Sequence, residues 1–140
     1  MHPPTVPGHG ISGHGILGHG IDLVEVARIA DLTARHGDRF LRRVFTADEL
    51  AYAQSRPKRR FEHLAARFAA KEAVVKVLGT GRRFGIAWHE IEVVREPTGR
   101  PTVALHGAAA EQADRAGVRQ WHLSLSHVAT HATASAIGCG

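Results

Sequence analysis

Leu64-Ala65-Ala66-Arg67-Phe68-Ala69-Ala70-Lys71-Glu72-Ala73-Val74-Val75-Lys76-Val77-Leu78, followed by Gly79, is the stretch on which the fold turns. No proline interrupts it, alanine is the strongest helix former, and a trailing glycine is a natural C′ residue. The run predicts one long helix that starts near Arg59 or Arg60 and stops at Leu78. At about 100° per residue, Leu64, Phe68, Val75 and Leu78 gather on one side, while Ala66, Ala70, Ala73, Val74 and Val77 fill most of the rest. A helix that is apolar nearly all round is a buried helix. Arg67, Lys71, Glu72 and Lys76 nevertheless lie inside it, with Lys71 in the apolar stripe. Interior charges need a counter-charge, a metal or a phosphate, because an unpaired one costs several kcal/mol. Glu72 and Lys76 stand one turn apart on a face whose other members, Ala65, Ala69 and Ala73, are small enough to admit a ligand or another backbone. Two readings fit that pair: a solvated i,i+4 salt bridge, or a carboxylate that holds a hard cation beside a phosphate-binding lysine.

Upstream, Ile16 to Val24 reads as a strand and Val26 to Arg35 as a helix closed by Gly37. Asp22 interrupts the apolar strand just before that helix, as a helix-starting residue or as a metal ligand at a strand end. Arg28 and Arg35 are two turns apart on the solvated side of the helix. Thr46 with Glu49 forms a capping box, flanked by Phe45 and Leu50 as a hydrophobic staple, so a further helix starts there. Downstream, strands at Trp88 to Val94 and Thr102 to His106 flank the turn Pro97-Thr98-Gly99-Arg100-Pro101. A helix from Ala108 to Ala116 ends at Gly117, and strands at Gln120 to Ser126 and His131 to Ile137 close the chain. His127, ending the first of these strands on the Leu123 and Leu125 face, is either a hydrogen-bonded core residue or a phosphate ligand. The order strand, three helices, two strands, helix, two strands predicts an α+β fold with a mainly antiparallel sheet.

The 140 residues suit one domain, over 16–140, preceded by a tail over 1–15. Gly8-His9-Gly10-Ile11 recurs at Gly13-His14-Gly15-Ile16 and Gly18-His19-Gly20-Ile21; glycine so dense predicts a flexible tail up to about Gly15, whereas the third copy runs directly into ordered sequence. Hydrophobic residues at 44% supply a core, and no run approaches the roughly 20 apolar residues of a membrane span. Cys139 is the single cysteine, and the N-terminal residues lack the pattern of a secretory signal, which together point to the cytoplasm. Net charge is +5, from 18 Lys and Arg against 13 Asp and Glu, so an acidic or phosphorylated partner is expected. Nucleic acid is a poor candidate, since aromatics at 6% offer little for base stacking and a nucleic-acid surface leaves Glu72 in a buried helix unexplained. A metal-dependent phosphohydrolase would employ the same acids.

Gly20-Ile21-Asp22-Leu23-Val24-Glu25-Val26-Ala27-Arg28-Ile29 resembles the opening motif of the holo-acyl-carrier-protein synthases, the short class of phosphopantetheinyl transferases. Arg67-Phe68-Ala69-Ala70-Lys71-Glu72-Ala73, with Lys76 and Leu78-Gly79-Thr80-Gly81, is similar to that family's second motif. Phe40 to Glu49, Gly99-Arg100-Pro101 and Ser124-Leu125-Ser126-His127 match the remaining segments in order. The resemblance implies the phosphopantetheinyl transferase fold and transfer of 4'-phosphopantetheine from coenzyme A to a serine of an apo acyl carrier protein. That reaction is magnesium-dependent, releases adenosine 3',5'-bisphosphate and serves fatty acid or polyketide carriers. Asp22 and Glu72 match the magnesium ligands, Lys76 a lysine on the coenzyme A phosphates, and His127 a histidine near the diphosphate. Lys71, in the same motif, is expected beside Lys76 and His127 at the coenzyme, and Glu72, Lys76 and His127 are the expected catalytic groups. Arg28 matches a basic residue that docks the acidic carrier, with Arg35 continuing that surface, and the family implies a homotrimer with sites between subunits. Val128 and His131 depart from the family pattern after His127, and the histidine-rich tail has no counterpart there.

Overall fold

The computed structural model describes residues 15–79 and 85–140, so the tail before Gly15 and the Thr80-Gly81 end of the second motif lie outside the described residues. Strand β1 (Ile16–Glu25) leads into α1 (Val26–His36), α2 (Asp38–Val44), α3 (Ala47–Gln54) and α4 (Arg60–Leu78). The hairpin β2 (Ile91–Arg95) and β3 (Pro101–Leu105), helix α5 (Gly107–Ala116), and strands β4 (Gln120–His127) and β5 (His131–Cys139) complete the chain. The α+β class holds, with all strand pairs antiparallel. The strands form two sheets, one of three strands in the order β1-β5-β4 and one made of the β2–β3 hairpin alone.

Two elements differ from the sequence reading. Among the described residues four α-helices, not three, lie between β1 and β2. The additional one is α2, whose Leu41 and Val44 are buried at an i,i+3 spacing and whose ends carry Asp38 and Arg42-Arg43, matching the helix dipole. At seven residues, just under two turns, the helix repeats its apolar spacing too few times to stand out in the sequence. Trp88–Glu90, expected to open a strand, forms a 3-10 turn because the Glu90 carboxylate turns back to accept the Ala87 N–H at 3.3 Å. The capping box of α3 is present in full: Thr46 Oγ1 accepts from Glu49 N at 3.2 Å, and Glu49 Oε1 accepts from Thr46 N at 2.9 Å.

Helix α4 lies along the inner face of the three-stranded sheet. Ala65, Ala66, Ala69, Ala70 and Ala73 on the helix and Ala132, Ala134 and Ala136 on β5 are all buried, so backbones approach closely with little side-chain bulk between them. Gly79, at φ 73°, ends the helix by donating to the carbonyls of Val75 and Lys76. The outer face of the same sheet is uncovered in the monomer, leaving Ile21 and Leu23 62% and 66% exposed.

Candidate active site at the crossing of β1 and α4

Alternation along β1 turns Gly20, Asp22 and Val24 toward α4 and leaves residues 19, 21, 23 and 25 exposed. From α4, Lys76 reaches back to this strand. Its Nζ donates to the Ile21 carbonyl at 2.8 Å and to Asp22 Oδ1 at 3.3 Å. Glu72 is half-buried one helical turn earlier, on the face of Lys76. The fold thus brings Asp22 to Lys76 across 54 residues of sequence, on the helix face that also carries Glu72. The Asp22 side chain is 20% exposed and that of Lys76 54%, so the group is open to water and to an incoming ligand. A hard divalent cation suits this chemistry: two carboxylates supply oxygen donors, and magnesium characteristically retains waters in its remaining positions. Among the described residues no three His, Cys, Asp or Glu side chains gather as a fuller metal cage would require.

Lys71 is elsewhere, and the expectation that it faces the coenzyme is corrected. It is fully buried, and its Nζ donates to Glu49 Oε1 at 2.8 Å, to the Trp88 carbonyl at 3.3 Å and to the Ile91 carbonyl. Glu49 is also saturated, its second oxygen accepting from Val93 N at 2.8 Å. Burial pulls the Lys71 ammonium below its ordinary range, and the adjacent Glu49 carboxylate works against that shift. The counter-charge demanded by the apolar stripe is a carboxylate from α3, and no donor is left over for a phosphate.

His127 is not brought to the carboxylates within one chain. Its Nδ1 lies 2.9 Å from Glu62 Oε1, and Glu62 is ten residues, or about 15 Å, along α4 from Glu72. The His127 ring packs edge-on against His63 at 4.9 Å, and His63 packs likewise on Tyr52 at 5.3 Å. Burial, with His127, Arg67 and Arg56 nearby, lowers the His63 pKa from 6.5 to about 4. Three guanidinium groups surround Tyr52, at 4.2 Å for Arg67, 4.3 Å for Arg56 and 4.9 Å for Arg95. Arg67 is 3% exposed, and its Nε has no hydrogen-bond partner among the described residues. Sequence reading passed over this cationic cluster. Its one sequence signal is the basic run Arg56, Lys58, Arg59 and Arg60 at the entry to α4, with Arg67 inside an otherwise apolar helix.

Arg28 and Arg35 lie on one groove of about 480 Å³, which is also lined by Leu23, Ala27 and Leu32 and by the acids Glu25 and Asp31. The Arg28 guanidinium sits 5.7 Å above the Phe68 ring, which anchors α1 to α4 and limits where that cation can point.

A family model described as the 4'-phosphopantetheinyl transferase superfamily matches residues 18–136. A holo-[acyl-carrier-protein] synthase of Koribacter versatilis is 55% identical over 117 residues, covering 84% of this chain and 93% of that protein. The crystal structure of the holo-[acyl-carrier-protein] synthase of Neisseria meningitidis superposes with a TM-score of 0.80 at 31% identity, over 89% of this chain and 98% of that one. The Helicobacter pylori enzyme of the same name, solved in complex with coenzyme A, superposes with a TM-score of 0.74 at 28% identity over 86% and 98% of the two chains. Matched across nearly all its described residues, the chain belongs to the 4'-phosphopantetheinyl transferase superfamily, in its holo-[acyl-carrier-protein] synthase branch.

Proposed function

We propose that this enzyme moves the 4'-phosphopantetheine arm of coenzyme A onto a serine of an acidic apo acyl carrier protein, with magnesium as cofactor and adenosine 3',5'-bisphosphate as the second product. The observation that carries this reading is the Lys76 ammonium on Asp22, one turn from Glu72, at the crossing of β1 and α4. Coenzyme A in the Helicobacter pylori relative supports the donor. Asp22 and Glu72 would hold the magnesium ion, which when bound neutralises charge on the diphosphate oxygens. Lys76, long and half exposed, leaves Asp22 for the bridging oxygen of the diphosphate. As the serine oxygen gives up its proton to solvent and bonds to the phosphorus that carries the pantetheine arm, the bond from that phosphorus to the bridging oxygen breaks, and the ammonium stabilises the charge left there. Catalysis is then largely placement of the reacting groups.

The distance between the two ends of α4 supports a site completed between subunits of a homotrimer. One protomer supplies Asp22, Glu72 and Lys76, and the next supplies His127 to a phosphate, its ring fixed by Glu62 and flanked by the Arg67 cluster. The exposed Ile21 and Leu23 side chains on the outer face of the three-stranded sheet support the assembly. The groove along α1 is the carrier's dock, with Arg28 and Arg35 meeting its acidic side chains. The cytoplasm, where a lone free cysteine persists, is the proposed setting.

The test is a mass spectrum of an apo acyl carrier protein incubated with coenzyme A, magnesium and enzyme. The carrier gains the phosphopantetheine mass. Asp22→Ala and Glu72→Ala each leave less than about a tenth of the rate at saturating magnesium while the melting temperature holds. A carrier of unchanged mass refutes the transfer, and a variant with near-normal rate is no metal ligand.

A further inference from the structure

At one point β1 and α4 meet backbone to backbone. A Cβ added to Gly20 would overlap the carbonyl oxygen of Ala73 and would stand 3.1 Å from Lys76 Cβ. The obstacle is helix backbone, which cannot rotate aside, so any larger residue must lift the strand from the helix. Asp22 is the next inward-facing residue, one pleat or about 7 Å further along β1. Its separation from the helix that carries Glu72 and Lys76 is therefore set at Gly20. A second contact acts on the backbone of Asp22 itself, from the sheet side. Thr133 Oγ1, on β5, donates to the Asp22 carbonyl oxygen at 2.8 Å. The hydroxyl proton is committed to that bond, so Thr133 has no donor left for a phosphate, and glycine has no side chain to offer.

We propose that Gly20 and Thr133 are positioning residues for Asp22, fixing where its carboxylate stands against the Glu72–Lys76 face of α4. The inference rests on the reading of Asp22 and Glu72 as the cation-holding pair. A neighbouring glycine supplies the control. A Cβ at Gly18 would stand 3.1 Å from Val77 Cγ1 and 3.2 Å from the Val77 carbonyl, crowding the same helix one pleat further from Asp22. Because the overlap at Gly20 is the deeper of the two, a purely structural role predicts that its variant loses melting temperature and turnover in proportion. Positioning predicts that they part, because a shift of about 1 Å at a reacting group costs about 100-fold in rate.

The experiment compares the full chain with Gly20→Ala, Gly18→Ala, Thr133→Val, Thr133→Ser and Asp22→Ala. It follows carrier modification, thermal melting, sedimentation and binding of Mn²⁺ by paramagnetic resonance. Gly20→Ala should lower kcat about 30- to 100-fold with carrier KM within about twofold, while Gly18→Ala keeps kcat within about threefold. Thr133→Val should lower kcat about fivefold with melting and assembly unchanged, and Thr133→Ser should restore it. Equal kcat for the two glycine variants, or wild-type kcat in Thr133→Val, overturns the proposal. If Gly20→Ala does not fold, the Thr133 pair decides alone. Mn²⁺ judges the underlying reading separately: wild type that binds none, or Asp22→Ala that binds normally, removes the cation pair, and the kcat comparison still decides positioning.

Discussion

Lys71 and Glu72 are neighbours in the chain but point about 100° apart around α4, and that rotation sends one into the core and leaves the other half-buried on the face of Lys76. The Lys71–Glu49 pair ties α4 to α3 and to β2 through donors and acceptors that are all used. Truncating one partner leaves an uncompensated buried charge. Lys71→Met should therefore cost about 3–5 kcal/mol in urea unfolding, while the double change with Glu49→Leu costs less than the sum of the two single ones. Turnover per folded molecule should hold, and a fall in turnover with unchanged stability would return Lys71 to the phosphates. His63 provides a pH signature. Its pKa is depressed in the folded state, so below 6.5 the unfolded chain takes up a proton that the native chain refuses until about 4. Stability should be full above pH 6.5 and fall as pH drops through that window, and His63→Gln should flatten the slope of melting temperature against pH. An unchanged slope would place the acid sensitivity in other groups.

Among the elements, α4 was legible because its signal is local and long: nineteen residues, a glycine stop and charges where no charge belongs. Its charges were readable as anomalies, and their partners were not. α1 was legible for the same reason, with Val26 and Ile29 buried and Gly37, at φ 56°, donating to the Thr33 carbonyl. Its exposed face carries the docking proposal. Arg28→Glu should raise carrier KM severalfold and leave coenzyme A KM nearly constant. The wild-type advantage should shrink with salt, as the Debye length falls from about 10 Å at 0.1 M to about 3 Å at 1 M. Equal carrier KM for both proteins at low salt would remove Arg28 from the dock.

At the scale of the whole molecule, the three-stranded sheet is covered on one side by α4 and uncovered on the other. Exposed Ile21 and Leu23 form an apolar surface on an edge strand, the kind of feature a stable monomer avoids. Sedimentation should give a trimer at micromolar concentration, and Ile21→Glu should yield monomers that remain folded. Because the proposed site is shared, those monomers should also lose transfer. A monomeric wild type with full activity would mean one chain completes the site alone.

By itself the sequence determined what depends on residues a few positions apart: the capping box at Thr46 and Glu49, the hairpin turn at Gly99, the buried character of α4 and the ordered motifs of the family. Periodicity and capping are properties of one turn or one pleat, so they survive without knowledge of the rest of the chain. Tertiary structure alone decided the pairings. Lys71 finds Glu49 across 22 residues, Lys76 finds Asp22 across 54, and His127 finds Glu62 across 65. The sequence states that a buried ammonium must have a partner, but the partner is selected by which helices pack together. The close approach at Gly20 was equally hidden, since a glycine within a strand carries no sign of what packs against it until the carbonyl of Ala73 is seen to occupy the space where a Cβ would stand.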